Sequence, residues 1–183
     1  MQRKSLSLAA MTEPAIENQP TVEELAGSYG RNAFHAAYRI LGNQSAAQDV
    51  QQDVFLRLLE RPPKSVESWP ALVVTMATRM AIDVYRKHQR RRNLRSLLMA
   101  RPAPRTPDEL ADSADLAPQL RRALARLKPR ESTAFCLRYF SDMEIPQIAK
   151  ALDTSENNAS VILHRSRKKL AKGLDLNGQE EQS

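Results

Sequence analysis

Two runs of basic residues carry the first chemical signal in the sequence. Between Arg86 and Arg105 lie eight Lys/Arg, at positions 86, 87, 90, 91, 92, 95, 101 and 105, and no acid. Between Arg165 and Lys172 lie five more, at 165, 167, 168, 169 and 172, again with no acid. Thirteen of the 28 basic residues therefore sit in two blocks. Cations gathered in this way attract a polyanion, because phosphate oxygens satisfy them with charge-assisted hydrogen bonds. The formal net charge of +7 points the same way. Focused charge of this kind favours nucleic acid over a merely solvated face.

A smaller acidic group stands apart. Asp49, Gln52, Asp53 and Leu56 fall on one side of a helical pattern whose other side is Val50, Val54 and Leu58. Taken alone, that face reads as solvated, with Asp49 favoured near a helix N-terminus. Nothing comparable suggests catalysis. The chain has five glycines, too few for a nucleotide-binding fingerprint, and His35, His88 and His164 are scattered without metal-ligand spacing. The expectation is a protein that is not an enzyme and needs no cofactor or metal.

The elements that must position these groups are helices. Helix formers are abundant, glycine is scarce and aromatics make up 5% of the chain, so the cores must be mostly aliphatic. The predicted fold is all-α: two small helical domains joined by a flexible linker, the second a four-helix helix-turn-helix domain. Residues 1–20 read as a disordered tail. Residues 21–92 form the first block. Leu25, Phe34, Ala37, Tyr38 and Leu41 sit largely at helical spacing, and Gly42 marks a stop. Ser45 to Gln48 has the form of a capping box before the next helix. Arg61-Pro62-Pro63 ends that helix, and Ser68 caps a third, striped by Trp69, Leu72, Val73, Met76, Met80 and Val84. Trp69, at the head of that stripe, reads as core rather than as a stacking platform.

Residues 93–116, with Pro102, Pro104 and Pro107 followed by Asp108, Glu109, Asp112 and Asp115, read as a linker. The second block is 117–174. It holds a short helix through Leu120, Leu124 and Leu127, a second over Arg130–Phe140 opened by Pro129, and a third over Ile145–Leu152. A turn at Asp153-Thr154 precedes a fourth helix, Glu156–Lys172, capped by Ser155. Residues 175–183 read as a frayed tail. The lone Cys136, between Phe135 and Leu137, reads as a small core residue. One cysteine excludes an intrachain disulfide and suits the cytoplasm. No run approaches 18 apolar residues, and Leu6–Met11 is too short for a secretion signal.

Two stretches resemble one family. YRILGNQSAAQDVQQDVFLRLLE from Tyr38, with SWPALVVTMATRMAIDVYRKHQRRR ending at Arg92, is similar to the second region of extracytoplasmic-function (ECF) sigma factors. LKPRESTAFCLRYFSDMEIPQIAKALDTSENNASVILHRSRKKL, Leu127 to Leu170, is similar to the family's fourth region. They stand in the family's order, with a linker between them. The resemblance implies a sigma factor that binds core RNA polymerase and directs promoter recognition at the −35 and −10 elements, DNA melting and initiation. A free-standing helix-turn-helix regulator acting without polymerase is the alternative; its weakness is that a dimerisation domain needs no basic third helix.

By that resemblance Asp49, Gln52, Asp53 and Leu56 dock on the clamp helices of the polymerase's largest subunit, and the β subunit is a further contact. Lys64, Ser65, Arg79, Asp83, Arg86 and Lys87 meet the melted −10 element, where a base leaves the stack to be read. Ser160, Val161, His164 and Arg165 enter the −35 major groove, while Arg167 and Lys168, with Lys169, suit phosphates. The sequence departs from the family at Arg79, usually Asn, and at Ser160 and Ile162, usually basic. Fewer charged contacts at the −35 element suggest readout of DNA shape. The resemblance also implies promoter DNA and an anti-sigma factor as partners, no direct membrane insertion, and work in the cytoplasm.

Overall fold

The computed structural model describes residues 20–99 and 116–179; the expected N-terminal tail, most of the linker and residues 180–183 lie outside them. The described residues form seven helices and no strand. α1 spans Val22–Leu41, α2 Gln44–Glu60, α3 Trp69–Met99, α4 Leu116–Arg126, α5 Pro129–Tyr139, α6 Ile145–Ala151 and α7 Glu156–Gln179.

Local chemistry sets most of the ends. Thr21 opens α1 in a reciprocal box: its Oγ1 accepts from the Glu24 N–H at 3.2 Å, and the Glu24 carboxylate accepts from the Thr21 N–H at 2.9 Å. Gly42 closes the helix with φ at 66°, its N–H donating to Tyr38 O. A Cβ there would be strained and would also come 2.6 Å from the guanidinium carbon of Arg121 on α4. Ser68 Oγ accepts from the Ala71 N–H at the head of α3, Pro129 is the first residue of α5, and Ser155 Oγ accepts from the Asn158 N–H below α7.

Three expectations need correction. The box at Ser45–Gln48 does not form. Asn43 caps α2, its Oδ1 accepting from the Ala46 N–H at 2.9 Å, so Ser45 lies inside the first turn. The tight stop leaves only Gly42 and Asn43 between the helices, so Asn43 takes the capping position, and Asn is as good an N-cap as Ser. α3 continues to Met99, seven residues into the stretch read as linker, because no Pro or Gly interrupts Asn93–Met99. α7 runs past Lys172 to Gln179, with Leu174 packed on the core beneath it.

α1, α2 and the first half of α3 enclose one core. Leu25, Ile40, Val50, Val54, Leu58 and Val73 are buried in it, and Ala33, Ala37, Ala77 and Ala81 let the helices approach closely. Burying each large aliphatic contributes about 1.5–3 kcal/mol. Trp69 packs against this core, as its place in the stripe implied. Ala134, Leu137, Met143, Ile148, Ala149, Leu152, Ala159 and Leu163 form the core of the helix-turn-helix domain.

α3 is shared. Residues at 71, 74, 78, 82 and 86 recur at three- and four-residue steps and so line one helical face. Ala71 and Val74 on that face pack on the second domain's core. Ile82 belongs to the same buried cluster as Leu124, Leu127, Cys136 and Leu170. The two domains thus meet along an apolar seam.

Candidate polymerase and nucleic-acid interfaces

The acidic face is fully presented. Asp49, Gln52, Asp53 and Leu56 are all exposed on α2, while Val50, Val54 and Leu58 hold the helix to the core. Leu56 is 54% and Leu59 64% exposed, an uncovered apolar pair beside two carboxylates. That combination suits docking on a basic helical surface with an apolar anchor.

The basic face of α3 is placed differently. Arg79 donates from its guanidinium to Ala151 O. Arg86 donates to Leu127 O at 2.7 Å and to Ser132 Oγ at 2.9 Å. Burial lowers the Arg86 pKa from its ordinary value; Asp83 opposes that and Arg90 adds to it. Ser65 and Arg79 line a cleft of about 780 Å³ whose far wall is Gln147, Ala149, Lys150 and Ala151. Arg79, Asp83 and Arg86 line another, of about 270 Å³, opposite Arg130, Thr133 and Leu152. Lys64 and Lys87 are exposed, on the preceding loop and on the outer side of α3.

Sequence reading missed two groups here. Arg122 and Arg126 of α4 join Arg86, Arg90 and Arg92 around a cleft of about 460 Å³ with no carboxylate in its lining. They stand some thirty residues from the α3 block, and no local pattern links them. Thr75 Oγ1 is buried without a hydrogen-bond partner and lines the largest of the three clefts. Only tertiary contacts show it.

Exposure along α7 follows its helical spacing. On α7, Ala159, Leu163, Ser166 and Leu170 face inward, while Val161, His164, Arg165, Arg167 and Lys168 are exposed. Ser160 is half-buried and donates its hydroxyl to Glu156 O at 3.0 Å. Asp153 takes φ of 50° in the turn, and Thr154 N–H donates to Ala149 O, which fixes the angle between α6 and α7. Lys169 is a correction. Its Nζ bonds both Glu131 carboxylate oxygens, at 2.7 and 2.9 Å, so it ties α7 to α5 instead of reaching for phosphate. Burial alone would raise the Glu131 pKa. The hydrogen bonds from Lys169 and from the Lys128 N–H outweigh it and hold the carboxyl below its ordinary range. Cys136 is wholly buried, and burial pushes its thiol up to about 12. Among the described residues, no three His, Cys, Asp or Glu converge as metal ligands, and no helix is long and apolar enough to cross a membrane.

Family comparison accounts for both halves. The sigma-70 region 2 model matches residues 25–91, and the sigma-70 region 4 model matches residues 118–170. The chain belongs to the sigma-70 family of RNA polymerase sigma factors, in its extracytoplasmic-function group, whose work is promoter recognition and transcription initiation. Among individual proteins it is similar to the RNA polymerase sigma factor YlaC of Bacillus subtilis, 24% identical over 174 residues, covering 91% of this chain and 99% of that one. It is also similar to the probable ECF RNA polymerase sigma factor SigI of Mycobacterium tuberculosis, 26% identical over 141 residues; the match spans 73% of this chain and 49% of SigI. In fold it resembles the sigma factor RpoE of Bartonella quintana, solved with the anti-sigma factor NepR. The TM-score is 0.51 at 16% identity, over 84% of this chain and 96% of that one.

Proposed function

We propose that the two domains divide the work of initiation. The first docks on core RNA polymerase through Asp49, Gln52, Asp53 and Leu56, against the clamp helices of the largest subunit, with the β subunit as a further contact. The second lays α7 in the −35 major groove, where Arg165 reads guanine by a bidentate contact and Val161 and His164 lie against the bases. Arg167 and Lys168 anchor phosphates and so fix register without reading sequence. Lys64, Ser65, Arg79, Asp83, Arg86 and Lys87 then hold the −10 strand. Unstacking a base costs a few kcal/mol, and pocket contacts and backbone charge must offset it.

The observation that carries this reading is the outward row on α7. Four cationic or imidazole side chains stand exposed on a helix whose inner face is locked in the domain core, just beyond a tight turn. Nucleotidyl transfer belongs to the polymerase, so the chain itself supplies contacts alone. The reading places the protein in the cytoplasm. It also includes an anti-sigma factor as a partner, because the RpoE neighbour was solved with one.

The test is transcription by purified core polymerase on genomic DNA of the host, with and without the protein. Discrete transcripts appearing only with the protein are the expected result. A stable complex with core but no transcripts would make the chain an occupying regulator. DNA binding without any core complex would leave a free-standing regulator.

A further inference from the structure

Across the cleft of about 460 Å³, α3 and α4 present arginines to each other. From α3 come Arg86, Gln89, Arg90 and Asn93, at three- and four-residue steps that put them on one helical face, with Arg92 beside them. From α4 come Arg122 and Arg126, one turn apart. Among the described residues the lining holds five guanidinium groups and no carboxylate. Only Arg86 belongs to the −10 set. Arg90, Arg92, Arg122 and Arg126 have no part in the polymerase and promoter contacts proposed above.

Gathered like charges repel, and arginine has no way to relieve this at neutral pH, because the guanidinium keeps its proton. Fields from both helices meet at this place. Burial raises the Tyr85 pKa, and the hydrogen bond from Gln89 and the charges of Arg122, Arg121 and Arg92 oppose it. Burial lowers the Arg86 pKa, and Arg90 adds to the fall. Asp83 offsets part of the Arg86 charge but lines the neighbouring cleft. Arg86 is anchored by Leu127 O and Ser132 Oγ, and Gln89 donates from Nε2 to the Tyr85 hydroxyl at 2.9 Å. These two half-buried side chains are thus held in place, while Arg90, Arg122 and Arg126 are exposed around them.

A guanidinium fork matches phosphate oxygens with two hydrogen bonds. Arginines converging from two sides call for an anion whose charge is concentrated. A polyphosphate carries its charge on adjacent phosphorus atoms, whereas a nucleic-acid strand carries one charge per nucleotide. The volume agrees, since small-ligand clefts span about 300–1,000 Å³. We propose that this cleft is a binding site for a small polyphosphate anion, held by Arg90, Arg122 and Arg126 against the fixed charge of Arg86. The Gln89 and Asn93 amides share the lining and can hydrogen-bond a nucleobase, so the anion is either free polyphosphate or the tail of a nucleotide. Its binding offsets the repulsion and stabilises the folded chain as the anion is added. The site stands apart from the sigma-factor reading, because its exposed arginines serve none of the contacts assigned there.

Isothermal titration of the full chain with tripolyphosphate, ATP and AMP, without divalent cations, tests the site. Tripolyphosphate should bind one per chain with Kd below about 0.1 mM, and AMP should bind roughly tenfold or more weaker than ATP. Arg122→Ala with Arg126→Ala should weaken tripolyphosphate binding roughly tenfold or more. Arg57→Ala with Arg61→Ala removes the same charge from the C-terminal end of α2 and should leave binding nearly unchanged. Circular dichroism checks that both variants fold, and Arg122→Lys with Arg126→Lys, which keeps the charge but loses the forks, should fall between them. ATP binding more tightly than tripolyphosphate identifies a nucleotide, and equal or weaker binding identifies free polyphosphate; either upholds the site. AMP binding as tightly as ATP, several anions per chain, an equal loss in the two alanine pairs, or no binding in the millimolar range would overturn the proposal. So would a single-stranded oligonucleotide that binds more tightly than tripolyphosphate with the same arginine dependence, which would make the cleft a path for a strand.

Discussion

α2 and α3 are neighbours in the chain and pack in one core, yet their outward faces are in opposite states. The acidic row on α2 is uncovered, with Leu56 and Leu59 bare beside it. The basic row on α3 is held by two helix ends of the second domain. α7 resembles α2 here, since its outward row is free. The surfaces proposed for polymerase and for duplex −35 DNA are offered at once. Of the surface proposed for melted DNA, Arg79 and Arg86 are engaged by the second domain, while Lys64, Ser65, Asp83 and Lys87 are exposed.

Charge reversal on α2 tests the open side of that contrast most strongly. Asp49→Lys with Asp53→Lys should weaken core binding at least a hundredfold, about 2.7 kcal/mol, as measured by titration of purified core. The second domain's DNA affinity should not move. Retained core binding would mean that the uncovered row is an ordinary solvated face. Next in size, Arg165→Ala should lose roughly 1–3 kcal/mol of discrimination for the −35 element over random DNA. An equal loss on both DNAs would reduce Arg165 to a phosphate contact.

The smallest effect concerns the platform under α7. Glu131→Gln removes the charged half of the tie to Lys169 and should cost about 1–2 kcal/mol of stability at neutral pH. The folded carboxyl binds a proton less readily than the unfolded one, whose value is near 4.5. The unfolded chain therefore takes up more protons in acid, and the benefit of Glu131 fades as pH falls through its lowered folded value. Urea unfolding at pH 7 and pH 3 should show the two proteins differing at the first and less so at the second. A gap undiminished in acid would assign the loss to packing.

Much of this architecture is written locally. Gly42, Ser68, Pro129 and Ser155 each mark a boundary because each solves a backbone problem within four residues. The outward row of α7 follows from helical spacing alone. The errors have a common origin. Asn43 and Ser45 are both competent caps, and only the tight turn after α1 decides between them. Lys169 looks like its neighbours until Glu131, 38 residues earlier, is folded beneath it. The Arg79–Ala151 contact spans 72 positions and uses a backbone oxygen, which leaves no trace in side-chain types. The second face of α3 was equally hard to see, because Ala71, Thr75 and Thr78 are too small or polar to read as a stripe.

Cys136 lies in the seam cluster with Ile82, Leu124 and Leu127, wholly buried and beside Arg86. Any opening that brings water to this cluster would return it towards ordinary reactivity. The rate at which an alkylating reagent consumes this thiol then becomes a clock, slowed in proportion to the time this cluster stays buried. It runs in the unmodified protein, and a partner that loosens or tightens this cluster would change its pace.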